Sequence, residues 1–553
     1  MNILYRKGTE MKRKKVSIIL AIVVMSVFFC ALAWADAPPV SNWTTTPPVV
    51  KVWKRVKSRQ GIGVGEGLFF VSDRPAENLS LRKALVIQSD LLPYVDTERY
   101  HNFWEKCGWS TIIYGYKFGG PEDLRELEKS LHEVDNRLIN LHLAGDEMPH
   151  FVFEMMTSWE GGDPLYNCFI SDFPFEYPNE NFADSGFEGT EKGNGILDHW
   201  ENPGGSKPQI IVSRLVTRVP KIGSPQWVVE NFYEKLYSLY KEQDIGNVLV
   251  AIDDGLGSAS EDVAGLQSIY GNRQVQARND VSDGNNVTKN KVLNWLERSR
   301  IFSMLYGHGG SWAISFKRNG KSERIWSEDL VARQPLSQIY YLKSCGAGYF
   351  ADDDNIGNAF IALERGGLAA LAFTGVTRGL WGNTSIFYES LQTGKSFVEA
   401  YKEFLSQFDI RTPEQAHWLL REFGSTVILG EGSVNARLRY PLPDLAVKWK
   451  KPVINADKSL SVKLVISNEG YVPSPACMVR LYIKKGRNEP VLVLERSMKI
   501  LPKRKRIVDL EIPAVDLPNL PFQLIAEANP LSEGQRLFEE ESYANNTAVV
   551  KVE

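Results

Sequence analysis

Ile301-Phe-Ser-Met-Leu-Tyr-Gly-His-Gly-Gly310 runs from an apolar segment straight into a glycine-flanked histidine, and Gln338-Ile-Tyr-Tyr-Leu-Lys-Ser-Cys-Gly-Ala-Gly348 does the same into a cysteine. Short apolar runs that stop at glycine read as buried strands. Between His308 and Cys345 lie enough residues for one crossover, so the two strands can sit side by side in a parallel sheet. Side chains just beyond the carboxyl ends of such strands line the ligand crevice of an open α/β sheet.

The same texture extends in both directions. Apolar strands are expected at 84–88, 110–114, 138–143, 210–212, 247–252, 274–277 and 368–373. Helical patterns fall between them at 95–108, 121–131, 227–242, 261–269 and 289–300. Alternation of this kind means a mostly parallel sheet with flanking crossover helices. It divides into two α/β subdomains, 82–224 and 225–440. Residues 157–207 are polar, aromatic and without clear periodicity. Residues 36–81 are Pro-rich and then strand-like at 49–56 and 67–71, which fits either a short prosegment or an edge of the fold. Past Pro441-Leu-Pro-Asp444 the texture changes. Residues 441–553 carry about seven alternating segments with turn residues between them, the pattern of an all-β sandwich of immunoglobulin type.

The 553 residues hold 64 Lys and Arg against 67 Asp and Glu, a net charge of −3, which excludes the basic footprint of a nucleic-acid binder. The first 35 residues distort that balance. Arg6, Lys7, Lys12, Arg13, Lys14 and Lys15 precede an apolar run over 16–34, and Ala33-Trp-Ala35 offers a cleavage site. This reads as a secretory signal peptide over 1–35, with an uncleaved anchor as the alternative. Its removal takes six basic residues and one acid and leaves a net charge of −8. The expected location is secreted or cell-envelope. Cys107, Cys168, Cys345 and Cys477 remain, too few for a disulfide scaffold, so one is available for chemistry.

A histidine between glycines can simply mark a turn, and a buried cysteine is usually a small hydrophobe. Together, at neighbouring strand ends with glycines close by, they suit nucleophilic catalysis. A free thiol is only a few per cent thiolate at neutral pH, and an imidazole can act as its base and then protonate a leaving amine. The amides of Gly309 and Cys345 are candidate donors to an oxyanion.

The order strand–Gly-His-Gly, crossover, strand–Ser-Cys-x-x-Gly resembles the gingipain-type cysteine peptidases of the caspase-like clan. The resemblance covers about 82–435. Leu141-His-Leu-Ala-Gly-Asp146 is similar to the strand that ends the family's first subdomain. Cys168-Phe-Ile-Ser-Asp-Phe173 and Ile211-Val-Ser-Arg-Leu215 look like two further landmarks, with Ser213 in place of the usual Gly. The resemblance implies a caspase-like fold and a thiol endopeptidase acting on proteins or peptides. It implies Cys345 as nucleophile, His308 as base and Asp254, with Asp253 beside it, as the acid that orients His308. It also implies a pocket for Arg or Lys, with Asp262 (or its neighbour Glu261) as the acid and Trp381 as an aromatic lid.

No metal ligand set or required cofactor is expected. Asp352-Asp-Asp-Asn355 and the acids of 171–187 leave room for a structural Ca2+, as such enzymes often bind, although solvated turns are the plainer reading. His142 and His150 are too far apart for a tight ligand pair. In the tail, Pro443-Asp-Leu-Ala446, Asn468-Glu-Gly470 and Asn545-Asn-Thr547 resemble bacterial adhesion-related immunoglobulin-like modules, which implies envelope or matrix contact. Two rivals share these residues: a sortase-like transpeptidase and an inactive envelope-binding protein.

Overall fold

The computed structural model describes residues 56–57, 63–64 and 67–553, except 77–78, 161–162, 187–189, 191, 195, 202–204, 206, 241–246, 254–255, 257–258, 273, 280–286, 299–300, 319–320, 378, 381, 439, 441, 471, 502–503, 531–535, 539 and 541–542. The proposed signal segment lies outside this set. No described helix is long and apolar enough to cross a membrane.

Eleven strands form one sheet. In chain order they are β1 (Leu68–Arg74), β2 (Leu81–Gln88), β3 (Trp109–Tyr116), β4 (Leu138–Ala144), β5 (Ile211–Leu215), β6 (Val248–Ile252), β7 (Val275–Asn279), β8 (Phe302–Tyr306), β9 (Ile339–Lys343), β10 (Ala369–Phe373) and β11 (Thr426–Gly430). Across the sheet the order is β7-β6-β8-β9-β10-β11-β5-β4-β2-β3-β1. Strands β7, β6, β8, β9 and β10 pair in parallel with one another, as do β5, β4, β2 and β3. Most of these strands are buried on both faces, which is why they read as unbroken apolar runs rather than alternating ones.

One expectation needs adjusting, and one open alternative is decided for residues 68–74. The halves expected at 82–224 and 225–440 do not form separate sheets. β11 lies antiparallel to β10 and pairs with β5 through Ser213 and Ile428, so one sheet and one apolar core run from Leu68 to Leu438. Residues 68–74 are an edge of the fold, since β1 pairs antiparallel with β3.

The crossover helices begin where local chemistry favours them. Asp96 caps α1 (Thr97–Lys106) by accepting from the Arg99 amide, and Pro121 with Glu122 and Asp123 opens α2 (Pro121–Val134). Ser224 caps α3 (Pro225–Leu239). α4 (Ser260–Tyr270) ends at Gly271, whose φ of +86° suits only glycine well. Thr288 caps α5 (Lys289–Leu296).

A polar knot sits inside this core. Lys83 on β2 places Nζ 2.6 Å from Oε1 of Glu431, just past β11, and both are fully buried. His142 on β4 lies 3.9 Å from the other Glu431 oxygen and bonds the Ser213 hydroxyl through Nδ1 at 2.9 Å. The Lys83 ammonium also faces the Trp104 ring at 3.8 Å. The region expected to lack periodicity contains a long hairpin, Phe151–Glu160 with Asp163–Ser171. Just after it, the Asp172 carboxylate accepts from Arg214 Nε at 2.8 Å, which joins the two short landmarks read from the sequence.

The tail is a sandwich of two antiparallel sheets. One contains Leu445–Trp449, Val453–Ile454, Leu460–Asn468 and Lys505–Ile512, and the other Cys477–Lys484, Val491–Met498, Phe522–Ala528 and Thr547–Val552. Inward residues such as Val462, Leu464, Val479, Leu481 and Leu524 form a second core. Asn468 is wholly buried and saturated. It donates to the Val472 and Ile500 carbonyls and accepts from the Asp444 and Gly470 amides.

Candidate active site

β8 and β9 are adjacent and parallel, and Tyr306 stands opposite Lys343. His308 and Cys345 each follow two residues later, so the register alone brings them to the same place. The segments then touch. The Gly307 amide donates to the Lys343 carbonyl at 3.3 Å. A Cβ on Gly309 would lie 2.1 Å from Ser344 Oγ and 2.8 Å from the Ala313 carbonyl, so only glycine fits there. Gly346 has φ +66° and packs against Gly310 and Ser311. His308 itself starts a three-stranded antiparallel sheet, His308–Gly310, Ala313–Arg318 and Lys321–Trp326, and is buried with 9% of the residue exposed.

Surrounding groups clamp this corner. The fully buried Asn355 donates to the Ser311 carbonyl at 3.0 Å and to the Gly346 carbonyl at 3.5 Å, which ties the histidine and cysteine loops together. The Thr377 amide donates to Cys345 Sγ at 3.5 Å, and the thiol faces the Thr377 carbonyl at 3.7 Å. From the first half of the sheet, Arg214 stacks on Phe350 at 4.6 Å, while Arg218 and Lys221 pair with Asp353 and Asp354.

The other described cysteines are in unreactive settings. Burial pushes the Cys168 and Cys477 thiols up to about 11, and Cys107 well above its ordinary value. Burial also holds His142 and His150 down to about 4, so both stay neutral in the interior.

Asp254 and Trp381 lie outside the described residues. Asp253 ends β6 beside β8. It is buried and its amide donates to the Tyr306 carbonyl at 2.8 Å. Asp262 faces the interior from the first turn of α4, whereas Glu261 is exposed. Asp262, expected as the acid of a pocket for a substrate cation, has partners within the chain. Lys343 Nζ lies 3.2 Å from Oδ2, and the Tyr388 hydroxyl donates to Oδ1 at 2.7 Å. Burial, and then the Asp262 charge, push Tyr388 well above its ordinary value, so it remains a neutral donor.

Three of the acids considered for Ca2+ are engaged by basic side chains: Asp172 by Arg214, Asp353 by Arg218 and Asp354 by Lys221. Among the described residues, no group of three or more His, Cys, Asp or Glu is placed to hold a metal ion.

Reading the sequence gave no role at this site to Lys343, Thr377 or Tyr388, and considered Asn355 only for Ca2+. One signal was available for Lys343. Alternate residues of a strand share a face, and Tyr341, Lys343 and Cys345 follow that spacing. All three engage neighbouring segments: Tyr341 accepts from the Leu380 amide, Lys343 reaches Asp262 and Cys345 reaches Thr377.

No protein-family model matches the chain, and no curated protein matches it. Among solved structures, the CARDB domain of a Pyrococcus furiosus protein, in complex with di-metal ions, is 22% identical over 20% of this chain and 87% of that one, with a TM-score of 0.17. A β-glucosidase from Erythrobacter marinus is 11% identical over 57% of this chain and 47% of its own, with a TM-score of 0.15. One from Listeria innocua in complex with glucose is also 11% identical, over 56% and 45%, with a TM-score of 0.15. Likenesses this slight carry neither fold nor chemistry to this chain.

Proposed function

We infer that this chain is a secreted cysteine endopeptidase of the gingipain type, with a caspase-like catalytic unit. The observation that carries the reading is the matched placement of His308 and Cys345, two residues past a paired position on adjacent parallel strands. Cys345 Sγ attacks the scissile carbonyl carbon while His308 takes the thiol proton. The amides of Gly309 and Cys345 receive the oxyanion. Collapse of the tetrahedral species breaks the C–N bond, and His308 returns the proton to the departing amine. Water, deprotonated by His308, then cleaves the thioester and restores the thiol. Asp254, or its buried neighbour Asp253, orients the imidazole. The immunoglobulin-like tail serves envelope or matrix contact. A peptide-library digest by the wild type beside Cys345→Ala tests the reading. Cleavage by the wild type alone supports it, and equal cleavage by both overturns it.

A further inference from the structure

Two residues before Cys345, a buried cation is already paired with an acid. Lys343 extends from the end of β9 with its ammonium 4.4 Å from the centre of the Tyr306 ring and 3.2 Å from Asp262. Gly379, with φ +82°, closes over its stem. A Cβ there would fall 2.3 Å from Lys343 Cε. Only 10% of the Lys343 side chain and 5% of that of Asp262 is exposed. One carboxylate is thus shared between one ammonium and the Tyr388 hydroxyl, and the ensemble is neutral.

We propose that Lys343 is the specificity-determining residue of this cleft: it occupies the cation site made by Asp262, so the residue before the scissile bond is uncharged, and Arg and Lys are disfavoured. The proposal rests on the peptidase reading and sets its substrate class. A substrate guanidinium would bring a second cation to a carboxylate that has one, and a covalently tethered lysine held between Tyr306 and Gly379 is not readily displaced. A substrate carboxylate would face Asp262 itself. A neutral side chain disturbs neither partner. Like charges brought together in a desolvated site are strongly selected against.

The test uses the full chain and peptides that differ only in the residue before the cleaved bond: Arg, Lys, Glu, Gln, Ala and Leu. Active sites are counted by covalent labelling of Cys345 with acyloxymethyl ketones bearing the same residues. Wild type is expected to cut the best neutral peptide at least about tenfold faster in kcat/KM than the Arg peptide. Lys343→Met keeps the stem but uncovers Asp262, and should move the Arg-to-neutral ratio by at least about tenfold toward Arg. Lys343→Met with Asp262→Asn removes both charges, avoids an unpaired buried carboxylate and should return the ratio to the neutral side. A wild type that cuts after Arg fastest, or a ratio unmoved by Lys343→Met, overturns the role of Lys343 while labelled Cys345 leaves the peptidase reading standing. If no probe labels Cys345 and no peptide is cut, both fail.

Discussion

The sheet has two places where the chain leaves a strand in one direction and returns on its other side. One is between β2 and β4, the other between β6 and β8. Such switch points open crevices at strand carboxyl ends. At the first, the Gln88 side chain fills the space. Its carbonyl accepts from the amides of Asp146 and Glu147 at 3.1 and 3.4 Å, and Gly145 packs on its Cβ. Asp146 in turn accepts from the Thr217 amide and hydroxyl. At the second, the chain supplies Gly-His-Gly-Gly, and the neighbouring β9 supplies Ser-Cys-Gly. The Ser344 hydroxyl there is buried with no hydrogen-bond partner among the described residues. The same topology thus yields one crevice closed by its own polar groups and one that brings a histidine and a cysteine together. Topology selects where a site can be, and the strand-end residues select whether there is one.

That contrast can be broken most forcefully at the open crevice. His308→Ala is expected to lower turnover by at least about 100-fold, the scale of lost general acid–base catalysis, with the melting temperature nearly unchanged. Unaltered turnover would place the chemistry elsewhere. A histidine in the interior gives the complementary result: His142→Asn should leave kcat intact.

Stability should respond in the opposite way. Glu431→Ala leaves the Lys83 ammonium buried without its carboxylate, and removing one partner of a buried pair costs about 3–5 kcal/mol. Urea unfolding of the full chain, followed through the tryptophans of the large core, reads this out. A loss below about 1 kcal/mol would mean the knot is dispensable. Gln88→Ala leaves two amides at the closed crevice without their acceptor and should cost about 1–2 kcal/mol, with kcat/KM unchanged. A large fall in activity would show that the first crevice takes part in function.

A further effect is in pH dependence. Burial lowers His142 from an ordinary 6.5 to about 4. Between those values the unfolded chain binds a proton that the folded chain does not. Its contribution to stability is therefore full above pH 6.5 and is lost as pH falls toward 4. Against its own burial, Glu431 is held below its ordinary value by His142 and Lys83, so it contributes above that value and its share is lost as pH falls through the lower folded value. His142→Asn should flatten the fall in urea midpoint between pH 6.5 and 4.5 by up to about one proton's worth. An identical slope in wild type and variant would exclude His142 as a source of acid sensitivity.

Much of the fold was readable because strands buried on both faces are written as apolar runs, as in Ala84-Leu-Val-Ile-Gln88 and in Ile339-Tyr-Tyr-Leu-Lys343. The union of the halves was not, because it depends on β11, five residues with no reactive neighbour to draw attention, pairing with β5 more than two hundred positions earlier. The histidine and cysteine were legible from their place at strand ends. The state of Asp262 was not, since its partner Lys343 is 81 residues away and meets it only in the folded sheet.

The most direct test of the central claim is mass spectrometry of the full chain after exposure to a peptidyl acyloxymethyl ketone with an uncharged residue beside the warhead. The account predicts one adduct, on Cys345, lost in Cys345→Ala and strongly slowed in His308→Ala. Labelling of Cys107, Cys168 or Cys477 instead, or labelling of Cys345 at the same rate without His308, would contradict it.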